Sequence, residues 1–206
     1  MRLLNQFDTI APFYDRLAAL VFGRSIRRAQ THHLKSLPQT GNVLLLGGGT
    51  GWLAVEMLRH SDLTMVYIEA SQRMLAIAKK KLSAFDSRVH FIHGTESSIP
   101  PGTYDIIVTN FFLDLFDGPK LNEVISHLRR SMHRDSRWLV TDFVSDQSWH
   151  RLYLSVMYFF FRATCGIEVR RLPPWEEALA SAGFRKDGEA AYFGGFMKTI
   201  LGKISA

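Results

Sequence analysis

The sequence predicts an α/β fold, a seven-stranded, mostly parallel sheet with one antiparallel strand and helices on both faces. Three observations carry this expectation. Short apolar runs alternate along the chain with amphipathic stretches at helical spacing, the rhythm of strands joined by crossover helices. One of those runs, Val43-Leu44-Leu45-Leu46, passes directly into Gly47-Gly48-Gly49-Thr50-Gly51, as a buried strand does when it turns sharply into a helix. Near the end, Gly194-Gly195 joins two strand-like runs; a glycine pair there is a hairpin signal and makes the last strand antiparallel.

The elements follow in order. Residues 7–36 read as two short helices: Phe7, Ile10, Phe13, Tyr14, Leu17 and Leu20 form a stripe broken near Pro12 and ended around Gly23. A basic amphipathic stretch then runs from Ser25 to Leu37 and stops at Pro38. Strands are expected at Asn42–Leu46, Leu63–Glu69, Val89–His93, Tyr104–Thr109 and Trp138–Phe143, with helices at Trp52–His60, Ser71–Ala84 and Pro119–His133. The C-terminal third breaks this rhythm. Ser148 to Thr164 is a helix rich in large apolar residues, including Trp149, Tyr153, Met157 and Phe159–Phe161. Pro173-Pro174 starts another helix, Trp175 to Ala182, closed by Gly183, and the strands Phe184–Tyr192 and Phe196–Ile204 follow. There is no internal repeat, and 206 residues suit one domain with a well-buried core.

Composition narrows the function classes. The content of 47% hydrophobic and 21% charged residues is that of a globular protein, and the longest apolar stretch, Leu152 to Phe161, is too short for a membrane span. Met1 to Ile10 is interrupted by Asn5, Gln6 and Asp8 and does not read as a secretory leader. The single Cys165 forms no internal disulfide and reads as a small buried hydrophobe; no zinc-type spacing exists, so no metal is expected, and a cytoplasmic setting fits. The net charge of +6 favours anions or anionic headgroups, but the basic residues come in short groups (Arg24/Arg27/Arg28, Lys79-Lys80-Lys81, Arg129-Arg130, Arg170-Arg171). These read as solvated helix faces and helix C-termini, so no nucleic-acid partner is expected.

The chemistry begins at the glycine run. Glycines let the main chain adopt positive φ and lie against a ligand, and the helix behind them offers unpaired N–H groups and a positive dipole end. Glu69 ends the second strand about 20 residues beyond the glycines, where an acid accepts hydrogen bonds from ribose hydroxyls. Ser71 is the better-placed cap of the following helix. A dinucleotide fingerprint is poorly formed: counted from Gly47, its sixth position is the bulky Trp52. Counted from Gly49, the frame reaches Ala54 but sits two residues deeper in the turn. A ligand with ribose and adenine but no pyrophosphate fits better.

Leu46-Gly47-Gly48-Gly49-Thr50-Gly51 followed by Glu69-Ala70-Ser71-x-x-Met74-Leu75 resembles the first two motifs of the class I S-adenosylmethionine-dependent methyltransferases. Gly94-Thr95-Glu96, Tyr104 to Leu113, Leu139-Val140-Thr141-Asp142-Phe143 and Ala182-Gly183-Phe184 resemble the later landmarks in order. The opening Phe7-Asp8-x-Ile10-Ala11-x-x-Tyr14-Asp15 is similar to that of the ubiquinone/menaquinone-biosynthesis C-methyltransferase subgroup. The resemblance covers nearly the whole chain. It implies a Rossmann-like fold with S-adenosylmethionine held by Gly47, Gly48, Gly49, Thr50, Gly51, Glu69, Ala70, Thr95, Glu96, Asn110, Phe111 and Tyr14. Residues 1–38 would then be an N-terminal helical lid and 144–183 a helical insertion covering the substrate. Two positions depart from the pattern. Leu45 replaces an acid that often organises the glycine loop and the methionine amino group, and Thr95 stands where many members have Asp, which leaves Glu96 for the adenine contact.

Methyl transfer from a sulfonium is an in-line displacement, so positioning and water exclusion supply much of the acceleration, and a base is needed only if the acceptor loses a proton. Candidates for that role are Asp114, Tyr14 and His150, whereas His32 and His33 read as solvated on a basic helix face. Phe111, Phe112, Phe116 and the Trp149–Phe161 segment suit either ordinary core or an apolar pocket, pointing to a small apolar or aromatic acceptor, lipid-like molecules included, and to peripheral contact with an anionic membrane. Two rival readings stand beside the enzyme: a non-catalytic cofactor-binding or interaction protein, favoured by Leu45, and a nicotinamide-dependent oxidoreductase, disfavoured by Trp52.

Overall fold

Alternation decides how the sheet is buried. In a computed structural model, which describes residues 8–165 and 171–204, with side chains described to 158 and again from 171, seven strands lie in the order β3-β2-β1-β4-β5-β7-β6. They are β1 (Thr40–Leu46), β2 (Asp62–Glu69), β3 (Val89–His93), β4 (Tyr104–Asn110), β5 (Met132–Phe143), β6 (Phe184–Tyr192) and β7 (Met197–Ile204). The first five are parallel, and β7 runs antiparallel to both β5 and β6, so the expected architecture holds, hairpin included. Successive residues of a strand point to opposite faces. Leu44 and Leu46 of β1 accordingly join one core with α5 (Gly118–Arg130) and α7 (Trp175–Ser181), while Val43 and Leu45 join the other with α3 (Trp52–Arg59) and α4 (Gln72–Lys81). Both faces of β1 are covered, which is why the strand is apolar without interruption.

Helix α1 (Tyr14–Phe22) and α2 (Ser25–Thr31) precede the sheet, and α6 (Ser148–Cys165) follows β5. Phe22 of α1, Phe143 of β5, Met157 and Tyr158 of α6, and Phe196 beside β7 form a third, aromatic-rich cluster. It fastens the N-terminal helices and α6 to the same end of the sheet. His150 is fully buried at the start of α6, donating from Nε2 to the Gly194 carbonyl (3.2 Å) and accepting at Nδ1 from the Gln147 N–H (3.3 Å). The expected Phe7, the side chains of Phe159–Phe161 and Cys165, and Arg170 lie outside the described residues.

Several boundaries differ from expectation for local reasons. The helix expected to reach His133 ends at Arg130, and β5 begins at Met132, six residues before the expected Trp138. The polar stretch His133 to Arg137 hides the strand: Ser136 Oγ donates to the Tyr104 carbonyl and accepts from the His133 N–H, bridging a register shift against β4. The helix expected to reach Ala84 ends at Lys81 and tightens into 3-10 turns over Ser83–Arg88. The basic triplet Lys79-Lys80-Lys81 occupies the last turn of α4 and Arg129-Arg130 that of α5, as the dipole favours. His33, expected to be solvated, is buried instead, because Gly188 of β6 leaves room for its ring, and burial lowers its pKa. Among the described residues no helix is long and apolar enough to cross a membrane.

Ser71 caps α4 as expected, accepting from the Met74 N–H at 3.1 Å, and its hydroxyl also bonds Asp8 of the N-terminal segment. Ser71→Ala should therefore lower the unfolding free energy by about 1–2 kcal/mol, the usual worth of an N-cap, in a urea titration. A titration that superimposes on the unsubstituted protein would show the cap to be redundant.

Candidate functional site

A parallel sheet opens a crevice where neighbouring crossovers diverge, here between β1 and β4 at their C-terminal ends. A cavity of about 890 Å³ occupies that place. Its floor is the glycine turn between β1 and α3. Gly47 and Gly49 have φ near +60°, which glycine alone adopts without cost. A Cβ on Gly48 would lie 2.2 Å from the buried ring of Tyr67, while one on Gly49 would meet nothing, so the turn is pressed onto β2 beneath and open to the cavity above.

Two side chains of β2 fix this turn through a single residue, Gly49. Tyr67 Oη donates to the Gly49 carbonyl at 2.8 Å, and Glu69 Oε2 accepts from the Gly49 N–H at 2.8 Å. The other carboxylate oxygen of Glu69 accepts from the Ser71 N–H at 2.7 Å, at the start of α4. Burial pushes the Glu69 carboxyl up, and the N–H groups of Ser71 and Gly49 pull it partly back. Leu45, the position of the missing acid, is buried in the core shared by α3 and α4 and does not line the cavity. The turn is thus ordered from β2 rather than from β1.

Of the expected cofactor residues, Gly47, Gly48, Gly49, Thr50, Glu69, Ala70, Thr95, Glu96, Asn110, Phe111 and Tyr14 all line the cavity. Gly51 does not. Its φ of +83° caps α3, and a Cβ there would press on the Ala78 backbone at 3.0 Å, so it serves the packing of α3 on α4. Asn110, at the end of β4, is buried with neither its side-chain oxygen nor its nitrogen partnered among the described residues. Thr95 caps a 3-10 turn over Glu96–Ser98, and Glu96 carries an ion pair with Lys120 at 3.2 Å. Thr50 donates to Asp15 of α1 at 2.7 Å, and Lys81 binds the same carboxylate, which ties the N-terminal helix to the glycine turn.

A smaller chamber of about 310 Å³ adjoins the cavity and shares Tyr14, Ala18, Ile26, Phe111 and Leu115 with it. Phe111 has φ of +50°, a conformation that costs a bulky residue energy and that clusters at functional sites. It is held there by its N–H bond to the Thr141 carbonyl (2.7 Å) and by packing on Phe143. Asp142 completes the turn: its Oδ2 accepts from the N–H groups of Phe112, Leu113 and Asp114 (3.0–3.3 Å), and its Oδ1 from that of Phe143. Asp114 is buried beside it. Burial and the neighbouring Asp142 raise its pKa well above the ordinary carboxylate value, and its Oδ1 has no partner among the described residues. Burial pushes Asp142 itself up to about 7.

Of the three base candidates, Asp114 and Tyr14 line the chamber. His150 lines neither space, and both its ring nitrogens are engaged: Nε2 staples α6 to the β6–β7 hairpin at Gly194, and Nδ1 takes the Gln147 N–H just before α6. Sequence reasoning did not single out Asp142, Tyr158, Arg27 or Lys120 as site residues. An acid inside the apolar run Trp138 to Val144 was the available signal for Asp142. Arg27, read as a solvated face, lies 4.8 Å over the Trp52 ring at the cavity wall, a contact between distant segments with no local signature.

Comparisons agree with this geometry. Residues 43–135 match the family model described as a methyltransferase domain. The malonyl-[acyl-carrier protein] O-methyltransferase of Halalkalibacterium halodurans is 27% identical over 155 residues, 68% of this chain and 56% of that protein. The chain thus spans little more than half the length of that relative. The ubiquinone/menaquinone biosynthesis C-methyltransferase UbiE of Geotalea uraniireducens is 25% identical over 173 residues, 78% of this chain and 70% of its own. Among solved structures, the Burkholderia thailandensis 1,6-didemethyltoxoflavin-N1-methyltransferase, with 1,6-didemethyltoxoflavin and S-adenosylhomocysteine bound, superposes with a TM-score of 0.72 at 14% identity, covering 98% of this chain and 87% of that one. Fold and sequence together make the chain similar to the class I S-adenosylmethionine-dependent methyltransferases, with residues 43–135 matching their domain. Within that class the chain resembles the UbiE C-methyltransferases.

Two outcomes follow. Tyr67→Phe removes the hydroxyl from the Gly49 carbonyl and should cost about 1–3 kcal/mol in denaturant unfolding, as for a buried group left unpaired. Unchanged stability would mean that Glu69 alone holds the turn. The carboxyl pair sets a pH dependence. The folded state retains protons that the unfolded chain loses above the ordinary carboxylate range, so this contribution to stability is full at low pH and fades as pH rises through about 7. Asp114→Asn should gain on the unsubstituted protein between pH 5 and 8 by up to about 1.4 kcal/mol per pH unit, read from urea titrations at each pH. Parallel stability curves would contradict the raised carboxyl pKa.

Proposed function

We propose that the protein is an S-adenosylmethionine-dependent methyltransferase of a small, apolar acceptor. The observation that carries this reading is Asn110, a residue of the cavity wall whose buried carboxamide has a donor and an acceptor both unused among the described residues. Leaving such groups unpaired is costly, and the α-amino and α-carboxyl groups of the cofactor's methionine end are their complement. At the other side of the glycine turn, Glu69 has lone pairs left after accepting two N–H groups, and these suit ribose hydroxyls. Thr95 and Glu96 stand at the adenine end, with Lys120 neutralising Glu96.

The bound cofactor would supply a methyl group on a sulfonium for in-line displacement. The chain's own part is positioning and exclusion of water. Phe111 and Tyr14 border both spaces, and the segment through α1 acts as a lid anchored by Asp15 on Thr50 and Lys81. An apolar acceptor suits the smaller chamber, whose edge residues Val21 and Val156 are exposed and offer apolar surface at its entrance. The non-catalytic alternative drew on Leu45, but Tyr67 and Glu69 order the turn without an acid there.

Calorimetry with S-adenosylmethionine, S-adenosylhomocysteine and NADH tests the reading: the first two should bind and NADH should not. Binding of neither sulfur-containing ligand would refute it, and binding without methyl transfer to any member of a panel of small apolar, protein and nucleic-acid acceptors would favour the non-catalytic reading. Asn110→Ala should weaken S-adenosylhomocysteine binding about tenfold, and Glu69→Ala by about ten- to a hundredfold, the worth of neutral and charged hydrogen bonds.

A further inference from the structure

Among the described residues, the large apolar side chains left exposed all belong to two helices. Phe13 (63% exposed), Leu20 (84%) and Val21 (36%) lie on α1 or just before it, and Trp149 (40%), Leu152 (70%) and Val156 (63%) lie on α6. Their spacing is helical. Phe13 and Leu20 share a face of α1 with Arg16 between them, and Trp149, Leu152 and Val156 recur three and four residues apart on α6. The helices stand side by side: Phe22 packs on Tyr153 with ring centroids 6.2 Å apart, and Val21 and Val156 both rim the smaller chamber. The exposed side chains therefore form one surface, and a contiguous apolar surface in water marks a place that a partner covers.

Charge identifies the partner. Arg16 lies in the apolar stripe of α1, Arg24 follows Val21 by three residues, and Arg151 adjoins Leu152. All three are exposed, and none has a carboxylate partner among the described residues; Arg151 bonds only the Ser148 hydroxyl. From Phe13 to Arg28 the single acid is Asp15, already held by Thr50 and Lys81, and from Gln147 to Tyr158 there is none. Asp146, just ahead of α6, lies 3.9 Å from Lys198. Two copies meeting here across a two-fold axis would set these arginines against one another. An anionic lipid surface suits both features, since hydrocarbon takes the apolar side chains while headgroups take the guanidinium groups on their flexible stems. Trp149 fits that boundary, with a partly exposed ring and an indole N–H donated to Gln147 at 2.7 Å. We propose that α1 and α6 together dock the protein on an anionic lipid bilayer, with Leu20 and Leu152 inserted and Arg16, Arg24 and Arg151 at headgroup level. Docking of this kind is independent of the methyltransferase reading above.

Vesicle sedimentation with the full chain tests this, using phosphatidylcholine vesicles with and without phosphatidylglycerol. The anionic vesicles should bind at least about tenfold more tightly at low salt. That preference should vanish near about 1 M salt, where charges are screened beyond roughly 3 Å. Leu20→Gln and Leu152→Gln should each weaken binding to anionic vesicles about tenfold, the worth of withdrawing one leucine side chain. Arg16→Gln should weaken it about fivefold. Urea midpoints should stay close to that of the unsubstituted protein, because all three side chains are exposed. Brominated lipid in the anionic vesicles should quench the protein's fluorescence, and Trp149→Phe should remove most of that quenching. No sedimentation with anionic vesicles, equal binding to both kinds at low salt, full binding by the Leu20→Gln/Leu152→Gln double variant, or undiminished quenching in Trp149→Phe would overturn the proposal. So would a dimer that the double variant dissociates, since a second copy would then cover this face.

Discussion

The backbone of Gly49 is the point on which the site depends. A turn made of glycines has no side chains to define its shape, and glycine gives up more backbone freedom on folding than any other residue. Its conformation must come from outside, and β2 supplies it: the Tyr67 ring fills the space under Gly48, its hydroxyl takes the Gly49 carbonyl, and Glu69 takes the Gly49 N–H. The same Glu69 carboxylate receives the Ser71 N–H. One buried acid therefore sets the floor of the cavity and the first turn of α4 together. Burying that charge is unfavourable, and the two N–H groups offset part of the cost, as the direction of its pKa shift records.

This arrangement explains how the chain manages with Leu45 where related sequences often place an acid. An acid there would enter the core formed by Leu53, Met57 and Tyr67, so Leu45 and Tyr67 belong to one solution: an apolar β1 and a hydroxyl delivered from its neighbour. The two strands are in register at this position, Leu45 opposite Tyr67, so the exchange takes place across a single pair of residues.

The architecture was legible in the sequence because alternation, glycine punctuation and the terminal glycine pair are local signals. So were Glu69 and Ser71, whose roles follow from where a strand ends and a helix begins. What stayed hidden depends on contacts between distant segments. The early start of β5 is masked by polar residues whose bonds run to β4, and His33 is buried only because Gly188 lies over it. His150 carries a residue type suited to catalysis, yet its position is decided by a carbonyl 44 residues away. Asp114 and Asp142 lie 28 residues apart, and neither looks unusual alone; only the fold makes them a buried pair of neighbouring carboxyls.

That pair links the two spaces at the C-terminal edge of the sheet. Phe111, held at positive φ, walls both, and the three N–H groups that follow it all converge on Asp142 Oδ2. Such convergence favours the anionic form of Asp142, because each N–H group bonds a carboxylate more strongly than a neutral carboxyl, while burial beside Asp114 pushes the other way. The strained turn between chamber and cavity is thus set by backbone donors gathered on one buried side chain of β5, as the glycine turn is set by Glu69 of β2.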